Sequence, residues 1–157
     1  MGGWPQAESN NATIITQKNQ TWEALGNIGG ADAIPALVRA AAAARDPAER
    51  DTARESLSRL RGPGVQASLI SILGTLDTPE KTEILRALGD RGDAGVAKVL
   101  LQHAASGTAP VRLAALESLR KIAAPETLLP LFELAAKSGA ESDIQPTLRA
   151  LYAVCQA

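Results

Sequence analysis

Aromatic side chains are almost absent: one Phe, one Tyr and two Trp make up 3% of the 157 residues. A groove that stacks unpaired bases needs several of them on one surface, whereas Trp4, Trp22, Phe132 and Tyr152 are scattered along the chain. Charge of one sign is missing too, since 16 basic and 17 acidic residues leave a net charge of −1. Without a basic footprint for a polyanion, nucleic acid is not an expected partner. The single cysteine, Cys155, excludes an internal disulfide. One histidine, His103, cannot by itself supply the several ligands of a metal centre, and no metal or cofactor is expected. No apolar run approaches the ~20 residues of a membrane span, and residues 1–11 are polar, with no apolar signal segment. No membrane partner is therefore expected, and the cytoplasm is the favoured compartment. Alternating runs of β-branched residues are lacking, so strands are not expected.

What is present is Ala and Leu, which dominate the 45% apolar content and are the best apolar helix formers. The length fits one domain, able to bury roughly 70% of its unfolded surface. One leucine recurs at a nearly fixed step: Leu25, Leu57, Leu88, Leu119 and Leu151, spaced 32, 31, 31 and 32. Other columns keep the same register. Twelve residues after the first four anchors stand Leu37, Leu69, Leu100 and Leu131; just before each anchor stands a small residue, Ala24, Ser56, Ala87, Ser118 and Ala150. Three residues after the anchors stand Ile28, Leu60, Arg91, Ile122 and Val154; seven before them stand Lys18, Arg50, Lys81, Arg112 and, out of pattern, Ile144.

Each unit reads as two helices, the first carrying the anchor and the second the leucine twelve residues on. Breakers separate them: Gly29-Gly30, Gly62-Pro63-Gly64, Gly92 and Ala124-Pro125. Glycine ends a helix in the left-handed turn and proline opens the next one. Between units lie Asp46-Pro47, Asp77-Thr78-Pro79, Gly107-Thr108-Ala109-Pro110 and Gly139, the first three being helix-start signals. The expected helices are 13–26, 31–44, 47–60, 64–75, 78–90, 93–106, 109–122, 125–138 and 142–155. Residues 1–12 are expected as a flexible tail, and 13–157 as one array with units near 13–44, 47–75, 78–106 and 109–138 and a half unit at 142–155. The second helices carry wide apolar stripes, such as Leu128, Leu129, Leu131, Phe132 and Leu134, expected to face both their own partner and the next unit.

The pattern resembles HEAT repeats, especially the short bacterial type also found in phycobilisome lyase subunits. Ala87-Leu88-Gly89-Asp90 with Gly92-Asp93 carries the likeness, as does the run from Ala24 to Leu37; Asp46-Pro47-Ala48-Glu49-Arg50 and Pro110-Val111-Arg112-Leu113-Ala114-Ala115-Leu116 resemble the family's helix-start pattern. The resemblance covers residues 13–155. It implies an all-α fold, a right-handed α-solenoid of about four and a half helix pairs. Proteins of this type are scaffolds without shared catalytic residues, so the expected function is non-enzymatic binding of a protein or peptide on the concave face. The alternatives are an accessory to chromophore attachment, like the lyase subunits, and an interaction domain of a larger enzyme. A monomer, or part of a larger chain, is expected. A likeness to HEAT-like DNA glycosylases lacks the basic, aromatic groove such enzymes need.

A polar column lies fourteen residues after each anchor: Arg39, Ser71, Gln102 and Glu133. With Lys98, four residues before Gln102, it forms the exposed stripe of the second helices, which reads either as a solvated face or as the partner-binding groove. The basic column pairs in spacing with an acceptor four residues earlier: Asp46 with Arg50, Asp77 with Lys81, Thr108 with Arg112. Residues four apart are neighbours on a helix, and these six are expected to form a structural ladder inside the turns. His103 is expected at the edge of an apolar stripe, and Cys155 as a buried structural thiol beside Leu151 and Val154. Trp22 is expected to cap the core at the first unit, and Trp4 to fold back on it. The sequons at Asn11 and Asn19 read as chance. No phosphate loop, Gly-x-Ser-x-Gly or convergent carboxylate pair is present, and no enzyme is expected.

Overall fold

A computed structural model describes the backbone of residues 5–137 and 141–157 and the side chains of residues 13–137 and 144–157. Trp4 and Gly139 lie outside it. Among the described residues every regular element is helical: α1 (Pro5–Ile28), α2 (Ile34–Ala43), α3 (Pro47–Arg59), α4 (Val65–Ile72), α5 (Thr78–Arg91), α6 (Ala97–Ser106), α7 (Ala109–Ile122), α8 (Leu128–Lys137) and α9 (Glu141–Gln156). None of them is long and apolar enough to cross a membrane. The fold is an all-α array of helix pairs, as the repeat implies.

The local chemistry of the helix ends follows the breakers. Pro47 and Pro79 sit in the first turns of α3 and α5, behind Asp46 and Asp77. The two carboxylates accept from the backbone N–H groups of Glu49 at 3.3 Å and Glu80 at 2.9 Å, each satisfying a donor that a helix start leaves open. At the other end, α5 stops on Gly92 at φ +69 and α7 on Ala123 at φ +47. The same left-handed step is thus made by glycine in one repeat and by a residue with a Cβ in the next.

Several boundaries differ from the sequence reading, and α4 ends at Ile72 rather than at 75. Helix α1 begins at Pro5 rather than at 13. Three of the second helices begin later than expected, because each is entered through a 3₁₀ turn: Ala31–Ala33, Ala94–Val96 and Pro125–Thr127. The tighter turn ends each time on a buried residue, Ala33, Val96 or Thr127, and Val65 fills the same column at the start of α4. The column eight residues after the anchor is therefore a fourth buried column, small enough in side chain to pass unnoticed in the sequence.

The helices form two compact units, Met1–Val65 and Gln66–Ala157. In the first, α3 packs against both α1 and α2. In the second, α7 packs between α5 and α9, α6 lies against α7, and α8 lies against α9. In α2–α3, α6–α7 and α8–α9 the second helix of a repeat thus meets the first helix of the repeat that follows. The buried leucines are the ones the register selects: Leu37, Leu69, Leu100 and Leu131 are 0% exposed, as are the anchors Leu57, Leu88 and Leu119. Each fully buried leucine stabilises by about 1.5–3 kcal/mol. Leu25 and Leu151, on the first and last helices, are only half-buried. Ile28, in the same column as the buried Leu60, is 86% exposed at the end of α1.

One close contact recurs. A Cβ added to Gly26 on α1 would lie 2.7 Å from the Cα of Ser56 on α3, and one added to Gly89 on α5 would lie 2.6 Å from the Cβ and Oγ of Ser118 on α7. Both glycines follow an anchor leucine and both serines precede the next one. The buried Ser118 hydroxyl donates to the Leu85 carbonyl at 2.8 Å. In α1–α3 and again in α5–α7 the first helices therefore meet backbone to backbone at a glycine, clipped in α5–α7 by a side-chain hydrogen bond.

Candidate functional site

The second helices carry Arg39 on α2, Ser71 on α4, Lys98 and Gln102 on α6, and Glu133 on α8, and all five side chains are exposed. The structure brings α6 against α8, so Lys98, Gln102 and Glu133 stand on neighbouring helices. Arg39 belongs to the other unit. Ser71 has its hydroxyl engaged, donating to the Ser68 carbonyl of its own helix at 2.9 Å. Glu133 and Lys137 approach to 4.0 Å, both largely exposed, too loosely to fix either.

The apolar stripe of α8 departs from expectation. Leu131 is fully buried, but Leu128, Leu129 and Phe132 are 43%, 66% and 64% exposed. In the corresponding columns of α2, Ile34 and Val38 are each 1% exposed. Helix α8 is followed by α9 alone, and no further second helix lies against it among the described residues. Leu128 and Phe132 thus leave open two columns that α2 buries, whereas the Leu129 column is exposed in every repeat, at Pro35, Ala67 and Lys98.

The ladder residues take other partners than the spacing implies. Asp46 and Asp77 cap backbone N–H groups, as described above. The Arg50 guanidinium reaches past Asp46 and donates to the Ala44 carbonyl at 2.8 Å, and Arg112 donates to the Gly107 carbonyl at 3.0 Å. Ala44 and Gly107 are the C-caps of α2 and α6. A cation there satisfies a terminal carbonyl and complements the negative end of the helix dipole. Within each pair only the backbone keeps the spacing of four: the amides of Arg50, Lys81 and Arg112 donate to the carbonyls of Asp46, Asp77 and Thr108 at 3.1, 2.9 and 2.8 Å. Thr108 makes no side-chain cap bond.

The remaining singled-out residues fall as follows. His103 is half-buried; burial, and secondarily the Lys81 charge, holds its imidazole below the usual range. Cys155 is exposed, which corrects the expectation of a buried thiol: its side chain is turned to solvent, while Val154 beside it is 8% exposed. Asn19 lies within α1. Asp93 accepts from the Gly95 N–H at 2.7 Å, and this bond, then the Gln66 side chain, holds its carboxyl below the usual range. Among the described residues no three His, Cys, Asp or Glu side chains converge.

Two concavities were not anticipated. In the first unit a cavity of about 500 Å³ is lined by Lys18 and Trp22 of α1, Arg39 with three alanines of α2, then Ala44, Arg45 and Glu49. Lys18 and Glu49 are ion-paired across it at 3.2 Å. Trp22 is half-buried, and its Nε1 is buried without a hydrogen-bond partner. The tryptophan expected as an end cap is thus a wall of this cavity. In the second unit a groove of about 720 Å³ runs between α7 and α9, where Leu113, Leu148 and Tyr152 face Arg120 and Arg149. Arg120 follows the Leu119 anchor, where Gly26 and Gly89 permit close approach. With that bulk, and Pro146 inside α9, the two helices leave a trough. The only sequence signals were Lys18 in the basic column and the change from Gly to Arg at one column position.

Residues 23–43, from the last turns of α1 through α2, match the family model of the PBS lyase HEAT-like repeat. A search of curated proteins finds no match to the chain.

Proposed function

We propose that this HEAT-type repeat protein is a non-enzymatic scaffold that holds a protein partner on the outward side of its second helices. The observation behind the reading is the face of α8: Leu128, Leu129 and Phe132 are exposed within one helical turn, beside the exposed polar residues Glu133, Lys98 and Gln102 of α8 and α6. Single exposed leucines are ordinary on protein surfaces. A contiguous apolar group rimmed by polar residues marks an interaction surface.

Affinity capture with the triple variant Gln102→Ala, Phe132→Ser, Glu133→Lys tests it. Exposed residues of a repeat array contribute little to its folding, so the variant is expected to melt within a few degrees of the wild type and to lose the proteins the wild type retains. The control Glu55→Ala, Arg59→Ala, an exposed ion pair on α3, is expected to keep them. Equal capture by the triple variant and the wild type would overturn the reading.

A further inference from the structure

We propose that the cavity of the first unit binds the carboxylate side chains of an acidic peptide segment. The inference rests on the scaffold reading and supplies the chemistry of the partner where Arg39 stands.

The lining has donors in excess of acceptors. Lys18, Arg39 and Arg45 are the cationic residues of the lining, and Glu49 is the one carboxylate among its walls. That carboxylate is occupied by Lys18 at 3.2 Å, and the Glu49 side chain is only 12% exposed. The Ala44 carbonyl is taken by Arg50 at 2.8 Å. The remaining lining is alanine, which offers no polar side chain. Arg39 and Arg45 are exposed and make no ion pair among the described residues.

An incoming carboxylate matches each part of this surface. Guanidinium groups take carboxylates in two-pronged, charge-assisted hydrogen bonds. The alanines and the indole of the lining accept the methylenes of a glutamate. A volume of about 500 Å³ lies in the range of small-ligand pockets, roughly 300–1,000 Å³, the size of a few peptide residues rather than a folded surface. With a single aromatic in the lining and a glutamate in its wall, the cavity does not suit stacked bases.

The full-length chain carries its own reporter. In a Trp4→Phe background Trp22 is the only tryptophan, and its emission is followed as an acetylated, amidated Ala-Glu repeat peptide is added. The expected result is a saturable shift that is absent with the Ala-Gln counterpart and weakens as sodium chloride is raised. Arg39→Ala and Arg45→Ala are each expected to weaken binding about tenfold, the loss of one charge-assisted hydrogen bond, with an unchanged circular dichroism spectrum. No shift, or the same shift with the Ala-Gln peptide, overturns the proposal. An equal shift with inorganic phosphate at the same concentration also overturns it, leaving a small-anion site. The two readings fail separately. If capture depends on Phe132 and Glu133 but Trp22 does not respond, the cavity proposal alone falls. If Trp22 titrates but the α6–α8 variant captures normally, the second-helix face falls and the peptide cavity stands.

Discussion

Replacing Gly89 by alanine gains a methyl group and should nevertheless cost stability. In an exposed helix the change would stabilise by roughly 1 kcal/mol through helix propensity alone. At this position the new Cβ would stand 2.6 Å from the Cβ and Oγ of Ser118 and 2.7 Å from its Cα, about 1 Å inside a normal carbon contact. The obstructing atoms include the backbone of α7, so no rotamer change relieves the overlap. Overpacking of this kind costs about 1–3 kcal/mol. Moving Ser118 aside also endangers its 2.8 Å bond to the Leu85 carbonyl, worth about 1 kcal/mol. The propensity gain offsets about one of these, and the net loss is about 1–3 kcal/mol, with the melting temperature falling by roughly 2–4 °C per kcal/mol. Gly30→Ala is the control: nothing lies within 4 Å of its added Cβ, and its φ of −108 suits any residue. Thermal and urea melts of both variants decide the matter. A double-mutant cycle adding Ser118→Gly should show coupling, the second change costing less in the Gly89→Ala background than in the wild type. If Gly89→Ala melts at or above the wild type, the helices do not meet as described.

Ala123→Gly is expected to stabilise by about 1 kcal/mol, because a Cβ is disfavoured in the left-handed step that Ala123 makes at φ +47; a lower melting temperature would contradict this. Leu88→Ala and Leu119→Ala should each cost about 2–5 kcal/mol, both anchors being 0% exposed, while Ser71→Ala stays within about 0.5 kcal/mol; equal urea midpoints would refute the register. For His103, a folded-state pKa held below 6.5 means that the unfolded chain binds the proton more readily as pH falls below that value. Its contribution to stability is therefore complete above pH 6.5 and is lost on acidification through the folded-state pKa. His103→Gln should flatten the urea midpoint against pH in that window, and an unchanged slope would argue against the burial and the Lys81 charge as causes.

The columns at the anchor and twelve residues later could be read in the sequence because burial against neighbours on both sides admits only leucine in the central repeats. Features that depend on what is absent could not be read. Leu25, Leu151 and Phe132 belong to the same kinds of column as buried residues elsewhere, and their exposure reflects the neighbours they lack. The spacing of four between Asp46 and Arg50 was visible, but a long guanidinium can reach either a side chain four residues back or the preceding helix's last carbonyl, and sequence spacing does not choose between them. The donor-rich cavity escaped notice for a related reason: Lys18, Trp22, Arg39 and Arg45 belong to different columns, and only the packing of α1, α2 and α3 in one unit makes them neighbours. The stripe residues were recognisable as polar breaks in apolar helices, and the structure places all five in solvent.

The glycine–serine contact has a consequence for how such a chain can change its length. Gly26 and Gly89 stand two repeats apart, as do Ser56 and Ser118; between the glycines that column holds Ser58, and between the serines theirs holds Ala87. The match of bump to hollow therefore comes round every second repeat, although the leucines come round every one. Excising the α5–α6 repeat alone would set Ser118 in register with Ser58, two side chains where the observed contact has room for one. Excising α3 through α6 together would set Ser118 in register with Gly26, a pairing of the kind the chain already makes twice. Measured by its hydrophobic columns the chain is a string of single repeats; measured by the glycine–serine fit it is two doublets, one made by α1 with α3 and the other by α5 with α7.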